Sequence, residues 1–379
     1  MRGEQRLRSG HPWIYRTDIT DAVAAPGDIV HVLGPRQRPL GQALFSDQSQ
    51  ITLRMLTRED EDANLALLRR RLERAIAFRQ SLGLEATAYR LVHGEADLLP
   101  SLVVDRYGDV LVMQTLSQGM DRLLPQLALQ LQELVAPAGI LTRNDPKVRA
   151  LEGLPQTIEV VHGHVPETVV VQEGPVSYEV DLRRGQKTGL FLDQRENRDA
   201  AARYATGRVL DAFSYNGGFA LRLAALATTV DALDISSDAV ARITANAARN
   251  GAHNVRAREV NVFDELRRLD KARELYDTIV LDPPAFAKNK AAVPGARAGY
   301  KEINLRAMRL VRPGGYLVTC SCSYNVSEAM FAEVLEEASA DSRTHMTIVE
   351  KRAQGRDHPV LVGVPETHYL KCFVMRRLD

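Results

Sequence analysis

The stretch that decides the fold is residues 208–234, RVLDAFSYNGGFALRLAALATTVDALD. A short apolar run ends in Asp211, a segment with helical spacing follows, and a second apolar run ends in Asp234. Two buried strands around a helix predict a strand–helix–strand unit with parallel strands. Gly217 and Gly218 lie between the first strand and the helix, where glycine allows the backbone to approach a ligand closely.

The same alternation extends to both sides of this stretch, from about residue 190 onward. Helices are predicted at 195–204, 218–227, 237–250 and 300–310, and strands at 208–211, 229–234, 277–282 and 315–320. Because parallel strands need crossover connections, this alternation predicts an α/β fold with a doubly wound parallel sheet.

The upstream half has a different pattern. Short β-like runs at 28–33, 40–45 and 51–55 are separated by turn residues, which predicts a small β-rich module. Helical spacing and strand-like runs are mixed further on, which predicts an α+β unit. We therefore expect three domains: a β-rich domain at 1–58, a central α+β domain at 59–184 and the doubly wound domain at 185–379.

Length and composition exclude several classes of protein. A chain of 379 residues with 45% hydrophobic and 26% charged residues is expected to form two or three globular domains. It has no apolar run long enough for a transmembrane helix and no apolar N-terminal region typical of a secretory signal. Three cysteines exclude a disulfide scaffold and indicate a reducing cytoplasm. The net charge of +1 does not by itself indicate a nucleic-acid partner.

The strand ends indicate the class of ligand. A doubly wound sheet binds ligands at the carboxyl ends of its strands, and a carboxylate at Asp234 suits a ribose diol. The GxGxxG fingerprint is absent, so a pyrophosphate site is not supported. A nucleoside without phosphates remains, of which S-adenosylmethionine is the common one, with Asn261 placed to bond its adenine. The alternative is that the glycines form a tight turn and Asp234 caps a helix.

A second group of residues indicates the chemistry. Asp282 precedes two prolines, which stiffen the loop and fix the direction of its carboxyl group. Cys322 lies just beyond the next predicted strand. A thiolate that adds to carbon 6 of cytosine activates carbon 5 for methylation, and a carboxylic acid near N3 assists by supplying a proton. The alternative is that the cysteines are apolar core residues, which we expect for Cys320 and Cys372.

At these residues the sequence resembles a known family. Residues 322–325, CSYN, are similar to the nucleophile motif of RNA cytosine-5 methyltransferases. The other motifs are HPWIY (11–15), YRLVHGEADLLPSLVVDRYG (89–108), GQKTGLFLDQREN (185–197), DAFSYNGGFAL (211–221), LDPPAFAKNK (281–290) and HPVLVGVPETHYLK (358–371). Together, in collinear order, they resemble the bacterial 23S rRNA cytosine-5 methyltransferase I family.

The resemblance implies an N-terminal PUA-like RNA-binding domain, a central α+β domain and a class I, Rossmann-like methyltransferase domain. It implies S-adenosylmethionine as methyl donor, 23S rRNA as partner, and Cys322 and Asp282 as catalytic residues. The expected donor-binding residues are Phe191, Gln194, Asp211, Phe213, Asn216, Gly217, Asp234, Ile235, Asn261, Val262 and Asp282.

Two features depart from the family's pattern. Better-known cytosine-5 enzymes carry a second cysteine directly after the proline that follows the aspartate, where this chain has Pro284. The group that assists product release is therefore not identified. The chain also begins close to GEQRLRSGHPW (3–13), without a first PUA strand, so that either the start codon is misassigned or the module is trimmed.

Four residues are candidates for RNA contacts: Trp13, Lys187, Lys288 and Lys290. Alternatively, Trp13 packs in the core of the β-rich module. The loop at Lys187 alternatively closes over the donor or is only the exit of a hairpin. The last two lysines, with Arg297, are expected in a mobile basic loop among glycines. The histidines show no metal-ligand spacing with the cysteines, so no metal is expected.

Two other functions stay open. An amino-group methyltransferase carries an aromatic residue directly after Asp-Pro-Pro, whereas here Ala285 comes first and Phe286 second. A non-catalytic RNA-binding factor would have no use for the acidic strand ends or for Cys322. The sequence leaves the oligomeric state, monomer or homodimer, and the target nucleotide open.

Overall fold

The computed structural model describes residues 2–58 and 61–379 and divides into two compact units. The first unit comprises Met1–Gln172, Val180–Leu192 and Arg356–Thr367, and the second Glu173–Glu179, Asp193–Gly355 and His368–Asp379. The predicted domain boundaries at 58/59 and 184/185 stay predictions. The first of them falls on residues 59 and 60, which lie outside the described residues.

The first unit begins with the β-rich module that the sequence predicts. Its elements are α1 (Arg2–Arg8), β1 (Trp13–Tyr15), β2 (Ile29–Leu33), β3 (Pro39–Phe45) and β4 (Ile51–Met55). The strands form an antiparallel sheet in the order β1-β4-β3-β2. Ile14, Ala43 and Leu53 from three of these strands are buried in one core.

The first unit also contains a five-stranded sheet with helices. The elements are α2 (Leu65–Ser81), β5 (Ala88–His93), β6 (Leu102–Tyr107), β7 (Val110–Thr115), α3 (Gln118–Arg122), α4 (Leu124–Val135), β8 (Gly139–Asn144) and β9 (Thr157–Gly163), in the strand order β5-β6-β7-β8-β9. Asn64 caps α2 by accepting a hydrogen bond from the backbone N–H of Leu67 at 3.0 Å. Leu68, Leu72 and Ala75 recur at helical spacing and are buried.

A hairpin follows, formed by β10 (Thr168–Glu173) and β11 (Val176–Asp181). The second unit is a seven-stranded sheet with helices. Its elements are α5 (Arg195–Ala202), β12 (Arg208–Ala212), α6 (Gly218–Ala224), β13 (Thr229–Asp234), α7 (Ser237–Arg249), β14 (Val255–Glu259), α8 (Val262–Ala272), β15 (Tyr276–Leu281), α9 (Val293–Leu310), β16 (Val311–Ser321), α10 (Glu328–Ser342), β17 (Met346–Arg352) and β18 (Lys371–Arg377).

The strand order of this sheet is β14-β13-β12-β15-β16-β18-β17. The first five strands are parallel, including the four whose ranges were predicted, whereas β18 pairs antiparallel with both β16 and β17. The predicted doubly wound parallel sheet therefore carries two further strands at this edge, of which β18 is antiparallel to its neighbours. The reason is that the two final strands are joined by a loop without a crossover helix, which brings the second back antiparallel beside the first.

The register of the parallel strands aligns their carboxyl ends along one edge of the sheet. Ala212 of β12 lies opposite Leu281 of β15, and Leu281 lies opposite Thr319 of β16. The residues that follow these strands therefore share one edge of the sheet, where doubly wound folds bind their ligands.

The predicted basic loop is shorter than expected. Arg297 and the glycines around it lie in α9, which begins at Val293, seven residues before the predicted helix. The early start is explained by a proline in the first turn, which is a favourable position for proline. Arg297 is paired with Glu333 and Glu337, each at 3.0 Å, so it belongs to a helix surface rather than to a mobile loop.

Candidate functional site

The loop after β12 has an uncommon backbone. Phe213 (φ 66°), Tyr215 (φ 53°) and Gly217 (φ 85°) all lie in the left-handed region, which is unfavourable for the two residues with side chains. Hydrogen bonds hold this conformation: the backbone N–H of Ser214 donates to Leu233 O at 2.9 Å, and that of Tyr215 donates to a carboxylate oxygen of the next strand. A strained, well-held loop at a strand end is typical of a ligand site.

Asp211 is fully buried at the end of β12. Its Oδ2 accepts hydrogen bonds from Ser214 Oγ at 2.5 Å and from the backbone N–H of Ala220 at 2.9 Å. Its Oδ1 is buried and has no hydrogen-bond partner among the described residues. Burial raises the pKa of this carboxyl to about 7, with Asp282 and Asp234 adding to the rise and the two hydrogen bonds opposing it. A cationic group next to Oδ1 would favour the ionised form.

Asp234 ends β13 with both carboxylate oxygens in use. Oδ2 accepts from the backbone N–H of Tyr215 at 2.9 Å, and Oδ1 accepts from the backbone N–H of Ser236 at 3.0 Å. Each oxygen keeps a further lone pair for a ligand hydroxyl. The next residue, Ile235, is 67% exposed, so an apolar side chain is presented to solvent beside the carboxylate.

The third strand end contributes Asn261 and Val262. Asn261 caps α8, because its Oδ1 accepts from the backbone N–H groups of Phe263 and Asp264 at 3.0 and 3.4 Å. Val262 is buried in the core. In the glycine loop, the buried Asn216 accepts a hydrogen bond on its backbone oxygen from the side-chain amide of Asn246 at 3.3 Å.

Aromatic rings pack beside these strand ends. Phe213 lies 6.3 Å from Phe263 and 6.5 Å from Phe286, measured between ring centroids. Phe286 also packs against Tyr300 with centroids 4.7 Å apart. The rings therefore form an apolar wall between the loop after β12 and the loop after β15.

Hydrogen bonds join the loop after β15 to the loop after β16. The backbone N–H of Ala287 donates to Ser323 Oγ at 3.1 Å, and Asn325 Nδ2 donates to Ala287 O at 3.3 Å. Cys322 Sγ donates to Pro283 O at 3.7 Å. The thiol of Cys322 therefore lies against the residue that follows Asp282.

The three cysteines differ in environment. Cys320 and Cys372 lie opposite each other on β16 and β18 and are fully buried. Burial raises the pKa of the Cys320 thiol, and the facing Cys372 adds to the rise. Cys322 is only partly buried. The core role predicted for Cys320 and Cys372 is consistent with this burial, and Cys322 is the cysteine with an accessible side chain.

Two polar residues of this site have a position that the sequence analysis did not predict: Gln194 was expected to contact the donor, and Lys371 was not identified as a site residue. Gln194 donates from Nε2 to Asp282 Oδ1 at 2.7 Å. Lys371, the first residue of β18, is 3% exposed and donates to Ser323 O at 2.7 Å and to Tyr369 O at 2.9 Å. A single lysine in the otherwise apolar run LKCFVM was the signal that could have identified it.

The remaining predicted residues are distributed over both units. In the first unit, the exposed Lys187 (φ 54°) has its Nζ 4.5 Å from the ring centroid of Phe191. Trp13, also in the first unit, is partly buried, and its Nε1 donates to Glu95 Oε1 at 3.0 Å. In the second unit, Lys288 and Lys290 are exposed in the segment after Asp282.

Residues 2–58 and 61–379 contain no cluster of three or more His, Cys, Asp or Glu side chains that could hold a metal ion. No helix in the same ranges combines the length and the apolarity needed to cross a membrane.

Comparison with known proteins gives a consistent result. The sequence profile of S-adenosylmethionine-dependent methyltransferases matches residues 90–376, and that of PUA-like domains matches residues 1–58. The chain is 39% identical to ribosomal RNA large subunit methyltransferase I of Tolumonas auensis, over 99% of this chain and 97% of that protein. It is 38% identical to the protein of the same name from Shewanella amazonensis, over 98% of this chain and 97% of that protein.

A solved structure supports the fold. The methyltransferase SMU.776, crystallised in complex with SAH, superimposes with a TM-score of 0.86 over 99% of this chain and 98% of that chain. The identity is 21%, so this similarity concerns the fold alone.

Proposed function

We propose that this chain, which belongs to the S-adenosylmethionine-dependent methyltransferases and within them to the ribosomal RNA large subunit methyltransferase I family, methylates carbon 5 of a cytosine in 23S rRNA. The observation that carries the proposal is the contact of Cys322 Sγ with Pro283 O. It brings the partly exposed thiol next to the Asp282 loop, and these are the two groups that the chemistry needs.

Carbon 5 of cytosine is a weak nucleophile until a thiolate adds to carbon 6. In the proposed reaction the Cys322 thiolate forms a bond to carbon 6, and Asp282 supplies a proton to N3 as that bond forms. Carbon 5 then takes the methyl group while N3 returns its proton to the Asp282 carboxylate. A base removes the proton from carbon 5, and the bond to Cys322 breaks to release the thiolate. The base must be flipped out of any stack to reach Cys322.

The donor pocket is proposed at the ends of β12, β13 and β14. S-adenosylmethionine supplies an electrophilic methyl group when bound. The buried Asp211 Oδ1, which has no hydrogen-bond partner in the described part of the chain, fits a cationic ligand. Asp234 would accept from the ribose hydroxyls, Ile235 would cover the adenine, and the amide nitrogen of Asn261 would bond its edge.

Other residues complete this proposal. The aromatic wall with Phe213 and the turn with Asn216 and Gly217 would border the donor, and Val262 would support the wall from the core. Phe191 stays a proposed donor contact of the first unit. Trp13, Lys187, Lys288 and Lys290 are proposed RNA contacts, with phosphate as the target of the lysines. The reaction is proposed to take place in the cytoplasm.

Phe286 argues against the alternative of an amino-group methyltransferase. In that class the aromatic residue directly follows Asp-Pro-Pro, where this chain has Ala285. Here the Phe286 ring packs against Tyr300, and a Cβ on Gly299 would meet Phe286 Cδ2 at 3.3 Å. The ring is therefore engaged within the protein and serves the aromatic wall.

The decisive test uses 23S rRNA fragments that contain 5-fluorocytosine, whose fluorine cannot leave as a proton. We expect an adduct that resists denaturation and maps to Cys322 by mass spectrometry. The adduct should be absent in Cys322→Ser and present in the matched variant Cys320→Ser. Bisulfite mapping of 23S rRNA with and without the protein identifies the target. Methylation of an amino group, or an adduct on Cys320, would contradict the proposal.

A further inference from the structure

Lys371 is unusual because a lysine is rarely buried without a carboxylate to which it donates directly. Lys371 is 3% exposed. Its ammonium group donates to two backbone carbonyl oxygens, Ser323 O at 2.7 Å and Tyr369 O at 2.9 Å. Ser323 directly follows Cys322. The lysine is thus held by hydrogen bonds at the turn that carries the partly exposed thiol.

The strands determine this position. Lys371 pairs with Ser321 at the last position of the β16–β18 ladder, so that its side chain reaches the residues beyond the strand end. Ser323 is fixed on its other side, where its Oγ bonds with Tyr300 OH at 2.9 Å. Two of the three N–H donors of the ammonium group are used by carbonyls, which neutralise none of its charge.

We propose that Lys371 is a positioning residue that favours ionisation of the Cys322 thiol, which gives up its hydrogen bond to Pro283 O, to the thiolate, the form that reacts with an electrophilic carbon. A fixed cation beside a thiol stabilises the thiolate by Coulomb attraction, and the attraction is strong where water is excluded. The proton leaves Cys322 to solvent, and Lys371 keeps its own proton. This inference rests on the proposed function, because it assigns Cys322 the nucleophilic role.

The charges around Lys371 agree with this role. Burial lowers the pKa of its ammonium group to about 8, while the nearby Cys322 and Glu328 oppose the decrease. Glu328 of α10 is already paired with Lys351 of β17 at 3.2 Å. Lys371 is therefore mostly charged at pH 7 and loses its charge as the pH rises through about 8, so the stabilisation of the thiolate is greatest at and below neutral pH.

The test measures the thiolate directly, without RNA. The rate of alkylation of Cys322 by iodoacetamide is followed from pH 5 to 10 by mass spectrometry of the peptide that carries it. In Lys371→Met we expect the midpoint of the rate profile to move up by about one pH unit, which lowers the rate at pH 7 by about tenfold. Lys371→Arg, which keeps a cation, should retain most of the rate. The matched control Lys301→Met, which removes a lysine of α9 that is paired with Glu337 and Asp341, should leave the profile unchanged.

A second measurement does not require replacing Lys371. In the folded protein with ¹³C-labelled lysine, NMR titration should show a lower pKa of Lys371 in Cys322→Ser than in the parent, because the attraction is reciprocal. Identical alkylation profiles in the parent and Lys371→Met, or an unchanged lysine titration, would overturn the proposal. If instead these shifts occur but 5-fluorocytosine RNA gives no adduct, the proposed function fails and the electrostatic role of Lys371 stands.

Discussion

The side-chain amide of Gln194 donates a hydrogen bond to Oδ1 of Asp282 at 2.7 Å. The other end of the same amide accepts from Asn197 Nδ2 at 2.7 Å, and Asn197 Oδ1 accepts from Arg352 Nε at 3.0 Å. This chain of hydrogen bonds fixes the direction of the Asp282 carboxyl group. These hydrogen bonds indicate that Gln194 orients a proposed catalytic acid, whereas its contact with the donor stays a prediction from the sequence.

Replacing Gln194 separates these two roles. In Gln194→Leu the carboxyl of Asp282 loses its orienting bond, and we expect methyl transfer to slow by roughly ten- to a hundredfold, because small misplacements of a reacting group are costly. The affinity for S-adenosylmethionine, measured by calorimetry, should change little. A large loss of donor affinity would mean that Gln194 contacts the donor itself. Thermal unfolding is measured alongside, since Asn197 loses a buried partner.

The donor pocket predicts a specific loss at Asp234. Asp234→Ala should weaken S-adenosylmethionine binding by about 1.5–3 kcal/mol, the usual cost of losing hydrogen bonds to a charged acceptor. The matched control is Asp238→Ala, which removes an exposed carboxylate in the first turn of α7. Calorimetry on both variants distinguishes a bound ribose from a general charge effect. An unchanged affinity in Asp234→Ala would remove this residue from the pocket.

The raised pKa of Asp211 predicts how donor binding depends on pH. Burial keeps this carboxyl largely neutral below its pKa of about 7, whereas a cationic donor favours the ionised form. Binding below pH 7 should therefore release a proton, and the affinity should rise with pH by up to about tenfold per unit before levelling above 7. Calorimetry of donor binding in buffers of different ionisation enthalpy measures the number of protons released per donor bound. Asp211→Asn should release none, and equal proton release in both proteins would contradict the role of Asp211.

The exposed lysines after Asp282 predict the salt dependence of RNA binding. If Lys288 and Lys290 each bind a phosphate, the double change to Gln should lower the slope of log affinity against log salt by about 2, roughly 1 for each lysine replaced. Lys301→Gln is the matched control, because Lys301 is paired with Glu337 and Asp341. Filter binding of 23S rRNA fragments between low and high salt measures the slopes. Identical slopes would exclude phosphate binding by these two lysines.

A buried ion pair predicts a large effect on stability. Arg198 donates to both oxygens of Glu173, at 2.7 and 2.6 Å, with both side chains 6% exposed. Burial lowers the pKa of Arg198, but the carboxylate outweighs it and the net shift is upward. Glu173→Ala should destabilise the protein by about 3–5 kcal/mol, because the buried guanidinium loses the carboxylate to which it donates twice.

The exposed pair of Asp199 and Arg222 is the control for this prediction. Asp199→Ala should cost less than about 1 kcal/mol. Urea unfolding followed by circular dichroism measures both variants. Equal losses would mean that burial does not set the strength of the Glu173 pair.

The features that local patterns encode were predictable. The short apolar runs predicted the parallel strands, and the acidic residues were found directly after those runs. The observed β15 differs from its predicted range by one residue at each end. The predicted start of α9 was wrong. The glycines near Arg297 indicated a loop, whereas the proline in the first turn favours a helix start there.

The features that depend on distant pairing were not predictable. The antiparallel insertion of β18 between β16 and β17 requires pairing between residues far apart in the chain. For the same reason the hydrogen bond of Lys371 to Ser323 and that of Gln194 to Asp282 could not be inferred from spacing. Residues 173–179 likewise precede the predicted doubly wound domain in sequence but belong to the compact unit that contains its sheet.

The ribosome synthesises β18 after every other strand of its sheet, although it lies between β16 and β17. During translation, β12 to β16 can pair in parallel as soon as they emerge, while β16 lacks its second neighbour until residues 371–377 have left the exit tunnel. The same last strand carries Lys371. The nascent chain therefore assembles the strands of the proposed donor pocket before the strand that carries Lys371, so that the proposed covalent chemistry is gained only after residues 371–377 have left the exit tunnel.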